Sequence, residues 1–301
     1  MRTLDDLDVE GKRVLVRVDF NVPLDEDRRI TDDARIRAAL PTLRELRERG
    51  AQLLLAAHLG RPKDREPELS LRPAAERLSD LLGTEVLLAE DLDRVPGGDV
   101  VMLENVRFER GETKNDPELA ERYAALADAY VNDAFGAAHR AHASTEAVAR
   151  LLPSAAGRLL EREVATLRGI LDDPRRPLVA VVGGAKVTDK IGVLEAFLER
   201  ADAILVGGAM CFPFFKAQGH EVGDSLCEAE GIGPARRVLE SGEDKLELPE
   251  DLVAGRAFEA DTERRELDGV DVPDGWMGLD VGAATAERNA EAIGGAGTVF
   301  W

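Results

Sequence analysis

Short apolar runs, each followed by a polar loop and a helical pattern, recur in two series along this chain. That alternation is the strand–helix signature of a parallel sheet. The first series is RVLVRVDF (13–20), AQLLLAAHL (51–59), EVLLAED (85–91), DVVMLENV (99–106) and DAYVNDAF (128–135). Helical patterns fit between these runs at 33–49, 71–82 and 116–127. The second series is PLVAVVGG (177–184), ADAILVGGAM (201–210), LELPEDLVAG (246–255), WMGLDVG (276–282) and GTVFW (297–301). Between them, 151–173 shows no strand character, and its Leu159, Leu160, Val164, Leu167 and Leu171 follow helical spacing. At 301 residues the chain exceeds one ordinary core. The expectation is an α/β fold of two parallel-sheet domains, 1–150 and 174–301, joined by a helix over 151–173.

Charge narrows the function classes. A net charge of −20 and a pI near 4.7 exclude nonspecific binding to nucleic acid or to an anionic membrane. Lysine supplies only seven of the 39 basic residues. Acid excess, scarce lysine and few aromatics suggest a protein built for a high-salt cytosol, where carboxylate repulsion is screened. GC-rich codon usage in an ordinary acidic bacterial enzyme is the alternative. Cys211 and Cys227 form no CxxC, so neither a disulfide framework nor a zinc knuckle is signalled. The acidic start MRTLDDLDVEG lacks a signal peptide's apolar segment, and no run approaches a membrane span. A soluble cytoplasmic protein is expected.

In parallel sheets, ligands bind beyond the C-terminal ends of the strands. Asp19 and Asn21 follow the first strand, His58 and Arg61 the second, Arg107 the fourth and Arg140 the fifth, while Arg35 opens the first helix. Arginine is the fixed-charge, bidentate partner of carboxylate and phosphate. Four of them at one sheet edge imply a small, multiply anionic ligand. The alternative is that each pairs with one of the 59 acidic residues. His139 and His142 in HRAH lack the companions of a metal site and read as structural or substrate-edge residues. No GxSxG, HExxH or Walker pattern occurs.

The second series places glycine pairs directly after two strands, Gly183–Gly184 and Gly207–Gly208. Glycine lets backbone approach a ligand, and a following helix N-terminus attracts phosphate. Lys186 and Lys190 stand four residues apart, where like charges on a helix repel. A polyphosphate held between the two ammonium groups would relieve that repulsion.

Taken in order, VDFNVP, ITDDARI, HLGRP, LENVRF with GETKND, NDAFGAAHRAHAS, GGAKVTDK, ILVGGAM and GLDVG resemble the phosphoglycerate kinases, over residues 13–301. The resemblance implies two Rossmann-like domains across a cleft and phosphoryl transfer between ATP and the carboxylate of 3-phosphoglycerate, with Mg²⁺ on the nucleotide. It implies that Asp19, Phe20, Asn21, Arg35, His58, Leu59, Gly60, Arg61, Arg107 and Arg140 hold 3-phosphoglycerate. It also implies that Gly183, Gly184, Lys186, Lys190, Gly207 and Gly208 hold nucleotide. Arg35, Lys186 and Lys190 would be the catalytic cations, with no metal ligand in the chain and a monomer as the working state. Ala283 and Ala284 stand where the family usually has proline and a charged residue. The family pattern continues past TVFW into a nucleotide-binding loop and an acidic phosphate- and metal-binding segment. A C-terminally shortened, haloarchaeal enzyme is therefore expected. The rival expectation is a non-catalytic phosphoglycerate-binding fragment.

Overall fold

The computed structural model describes residues 1–242 and 244–301. The chain divides into two compact units, Met1–Thr166 and Leu167–Trp301.

The first unit carries a six-stranded parallel sheet. Its strands are β1 (Arg13–Arg17), β2 (Gln52–Ala56), β3 (Leu87–Ala89), β4 (Val100–Leu103), β5 (Ala129–Asn132) and β6 (Ser154–Ala156). They lie in the order β3-β4-β2-β1-β5-β6. Both faces are covered, which is why the runs are continuously apolar rather than alternating. Val14 and Val16 of β1 face one cluster with Leu53, Leu55, Met102 and Val131, while Leu15 faces another with Leu54, Val101 and Tyr130. The connecting helices are α1 (Ala34–Glu48), α2 (Arg72–Leu82), α3 (Pro117–Ala124) and two short ones, α4 (Phe135–Ala138) and α5 (Val148–Leu151). Local chemistry sets their ends. Asp116 accepts from the Glu118 N–H ahead of Pro117, and Gly83 closes α2 at φ 65°.

The stretch 151–173 differs from expectation at its start. Ser154–Ala156 is a strand, paired in parallel with Tyr130–Asn132. Three small residues carry too weak a pattern for periodicity to register. Then α6 (Arg158–Asp172) begins, its first turns held by Asp133 Oδ1, which accepts from Leu159 N at 2.9 Å and Leu160 N at 3.3 Å. The boundary between the two units falls inside this helix.

The second unit has a four-stranded parallel sheet of β7 (Leu178–Gly183), β8 (Ala203–Gly207), β9 (Leu246–Glu247) and a strand formed by Thr298–Phe300 at the edge beside β7. Phe300 packs on Phe197, ring centroids 4.9 Å apart. Helices α7 (Ile191–Arg200), α8 (Phe212–Gln218) and α9 (Ile232–Ser241) accompany this sheet. The run 246–255 is not one strand. Its second half is β10 (Leu252–Gly255), which pairs antiparallel with β11 (Arg264–Leu267) and β12 (Met277–Val281) in a separate three-stranded sheet. Pro249 interrupts the run, and a proline cannot donate to a ladder. RREL (264–267) is polar and exposed, so no apolar run announced β11. A last helix, α10 (Ala283–Gly294), has its first turns capped by Asp251, which accepts from Ala284 N at 2.9 Å and Thr285 N at 2.8 Å.

A cationic site at one sheet edge and a glycine-rich loop

Four contiguous strands, β4, β2, β1 and β5, end beside one another. The loops after them bring the expected residues together through short bonds. Arg35 Nη1 donates to Asp19 Oδ2 at 2.6 Å. Gly60 N donates to Asn21 Oδ1 at 2.8 Å, and Arg107 Nη1 to the Gly60 carbonyl at 2.5 Å. Gly136 comes so close to Asp19 that a Cβ there would meet Oδ2 at 2.6 Å. Asp19, Asn21, Gly60, Arg107 and the loop after β5 are thus one connected patch.

The carboxylate-pairing alternative holds for Arg35 alone. Among the described residues Arg61 and Arg107 make no ion pair, and Arg140 contacts only the His139 ring, Nε to Nε2 at 3.3 Å. The guanidinium groups press on each other instead. Arg107 is held below its ordinary range by burial first, then by Arg140, Arg17 and Arg61. His58, only 6% exposed, is pushed down to about 2 by burial and by Arg17, Arg107 and Arg140, so its ring is neutral. His142 is lowered for the same reasons, burial first. Arg35 itself sits in the first turn of α1, where the helix dipole disfavours a cation by about 0.3–1 kcal/mol. The patch thus gathers like charges at local cost, with burial and mutual repulsion acting on Arg107, His58 and His142 together.

Phe20 and Leu59 take a different place: both side chains lie in the core, at 0% and 4% exposure. Only their backbone remains to face a ligand. Gly60 serves by shape, at φ 63° and with a Cβ position 2.9 Å from Leu69 Cδ2. A cleft of this unit walled by Asp27, Arg28, Arg77 and Asp80 among others shares no residue with the patch.

In the second unit the two glycine pairs are in register. Gly183 of β7 is the partner of Gly207 of β8. Beyond them Gly208, at φ 68°, leaves only 3.0 Å between a would-be Cβ and the Gly184 carbonyl, and Met210 N donates to that carbonyl at 2.9 Å. Gly208 needs glycine for this approach, whereas Gly184, at φ 148° with open space around a would-be Cβ, needs it for backbone conformation alone. Lys186 is not in a helix, contrary to the i,i+4 expectation. It precedes a single 3₁₀ turn, Thr188–Lys190, and Lys190 stands at the start of α7. Both are exposed, and neither has an acidic partner among the described residues.

The comparisons with known proteins agree along the whole chain. The family model described as phosphoglycerate kinase matches residues 4–301. The chain belongs to the phosphoglycerate kinase family. It is 50% identical to the phosphoglycerate kinase of Thermosipho africanus and 49% to a cytosolic phosphoglycerate kinase of Triticum aestivum, in each case over 99% of this chain and 78% of the relative. The solved phosphoglycerate kinase of Coxiella burnetii superposes with a TM-score of 0.81 at 40% identity, covering 99% of this chain and 78% of that one. The one from Pyrococcus horikoshii gives 0.78 at 30%, covering 99% and 80%. Phosphoglycerate kinases are phosphotransferases, and this chain is one by family.

Sequence reasoning passed over the residues behind the site of this family member. Arg17 is the last residue of β1 and is 1% exposed; Asn105 Nδ2 donates to Leu59 O at 2.8 Å and Leu69 O at 2.9 Å; Glu112 is 1% exposed. One signal was available. An arginine in the middle of VLVRVDF breaks a doubly buried strand, and charged residues are almost never buried unless paired.

Proposed function

We propose that the first unit binds 3-phosphoglycerate through Asp19, Asn21, Arg35, His58, Arg61, Arg107 and Arg140, with backbone from Phe20, Leu59 and Gly60. The second unit takes ATP or ADP on Gly183, Gly184, Gly207, Gly208 and Lys190. The observation that carries this reading is the cluster of unpaired guanidinium groups around a neutral His58, in a chain of net charge −20. The acceptor, a carboxylate of ordinary pKa near 4, is already an ionised nucleophile and needs no general base. What the protein supplies is position and charge neutralisation, with Arg35 acting in the first unit's site and Lys186 and Lys190 on the nucleotide's phosphates in the second.

Among the described residues no three His, Cys, Asp or Glu side chains converge as a metal cage. Mg²⁺ is proposed to arrive on the nucleotide's phosphates, where it would neutralise their charge. Among the described residues no helix is long and apolar enough to cross a membrane. The cytosolic relatives support a cytoplasmic enzyme, and a monomer is its proposed working state. The acid excess and scarce lysine support a saline, haloarchaeal setting.

Calorimetry tests the assignment by double dissociation. Arg140→Ala and Arg35→Ala should each weaken 3-phosphoglycerate binding about ten- to a hundredfold, the cost of one charged hydrogen bond, and leave Mg–ATP binding unchanged. Lys190→Ala should do the reverse. Unchanged 3-phosphoglycerate affinity in both arginine variants would refute the first site.

A further inference from the structure

Behind the proposed anion site lies a buried polar chain that the binding reading does not use. Arg17 ends β1 on the sheet face opposite Val14 and Val16, and four of its five guanidinium N–H groups are committed. Nη1 donates to the carbonyls of Val18 at 2.6 Å and Ala56 at 3.3 Å, and Nε to Ser144 Oγ at 2.9 Å. Nη2 lies 3.2 Å from His58 Nδ1. Ser144 passes the chain on, Oγ donating to Glu112 Oε1 at 2.6 Å while its N–H donates to Oε2 at 3.0 Å. Ser144 itself is held by Tyr130, whose hydroxyl donates to the Ser144 carbonyl at 2.9 Å. Arg17, Ser144 and Glu112 are all at most 1% exposed.

The contact with His58 has only one possible polarity. A guanidinium carries five donors and no acceptor, so Nδ1 must be the acceptor. In a neutral imidazole the single ring proton is then on Nε2. Nε2 has no partner among the described residues, yet it is not one of the buried unpartnered atoms, so it reaches solvent. Burial and the surrounding Arg17, Arg107, Arg140 and His142 keep the ring from taking a second proton. A free imidazole would present either a lone pair or an N–H to an incoming anion. Here it presents only the N–H.

We propose that Arg17 is a positioning residue that fixes the Nε2–H tautomer of His58, so that the ring offers a hydrogen-bond donor, never a lone pair, to the bound anion. Ser144 and Glu112 hold the guanidinium in place and balance its charge. The inference rests on the assignment of His58 to the 3-phosphoglycerate site.

Nitrogen-15 NMR of histidine-labelled protein reads the tautomer directly. The chain has four histidines, and His58→Gln assigns the His58 signals by their disappearance. In the unaltered protein Nδ1 should appear as the unprotonated ring nitrogen and Nε2 as the protonated one, unchanged between pH 5 and 8. A protonated Nδ1 overturns the inference outright. The paired variant Arg17→Met, Glu112→Gln removes both buried charges and leaves the local net charge unchanged, so a purely electrostatic role of Arg17 predicts little effect. Positioning predicts instead that the two nitrogen signals move toward each other and that 3-phosphoglycerate affinity falls roughly tenfold. In the His58→Gln background, where an amide N–H₂ needs no tautomer lock, the same pair should cost about twofold or less. Equal losses in the two backgrounds refute positioning. If 3-phosphoglycerate leaves the Nε2 signal unmoved while the tautomer is locked, the assignment of His58 to the binding site is what fails.

Discussion

The cationic patch of the first unit and the glycine-rich loop of the second are the two regions proposed to receive negative charge, and they are organised in opposite ways. Around the patch, side chains are fixed before any ligand arrives: Arg107 by Gly60, Gly60 by Asn21, Arg35 by Asp19, and His58 by a chain of buried groups reaching Glu112. Around the loop, only backbone is fixed. Gly183 and Gly207 are in register and Gly208 abuts Gly184, while Lys186 and Lys190 extend into solvent without partners among the described residues. The difference teaches where each region's affinity comes from. A preorganised cluster spends little ordering entropy on binding, whereas flexible ammonium groups are ordered by the phosphate they meet.

The largest expected effect tests whether the buried chain really underpins the first region. Glu112→Ala leaves the Arg17 guanidinium uncompensated in the core, which should cost about 3 kcal/mol or more in chemical denaturation. Glu228 holds Thr188 in the loop region by exposed bonds of 2.9–3.2 Å, and Glu228→Ala should cost about 1 kcal/mol or less. Similar penalties for the two would erase the contrast.

Acid titration tests the buried groups of the first unit next. The folded chain refuses a proton on His58 down to about pH 2, while the unfolded chain accepts it near 6.5. His58 therefore contributes stability that is complete above pH 6.5 and is lost as pH falls, at about 1.4 kcal/mol per unit. Asp133, raised to about 6 by burial, has the opposite sign: its contribution is complete below pH 3.8 and is lost as pH rises through 6. Glu112, raised chiefly by burial, acts in Asp133's direction. The His58 effect is thus the difference between the unaltered protein and His58→Gln, which should narrow by about 1.4 kcal/mol per unit from pH 6.5 to 5 in favour of the variant. Parallel stability curves would mean that His58 is not the neutral ring described.

Salt gives the smallest effect and the finest distinction. With a net charge of −20, the melting temperature should rise from low to molar KCl as carboxylate repulsion is screened. A flat or falling curve would favour codon bias over a saline setting. The Glu112→Ala penalty should be the same at both ends, because buried groups are little screened; a penalty that fades in salt would place Glu112 nearer solvent than the geometry does.

The sequence by itself determined the α/β class and the four loops that carry Asp19, His58, Arg107 and Arg140. Apolar runs record burial on both faces, and chemistry in a parallel sheet follows strand ends. The second glycine of each pair was legible because its positive φ tolerates few other residues, and at Gly208 close backbone approach adds to that. Tertiary structure alone decided which cations are paired. Arg35 meets Asp19, sixteen residues away, while Arg61 and Arg140 meet no carboxylate among the described residues, and no spacing distinguishes these cases. It also decided that Phe20 and Leu59 turn inward, and that β10, β11 and β12 leave the parallel sheet. The chain from Arg17 through Ser144 to Glu112 joins residues 127 and 32 positions apart. Such a link exists only after folding, because its members are individually anomalous in sequence and become compatible with a core only when each supplies the other's missing hydrogen bond.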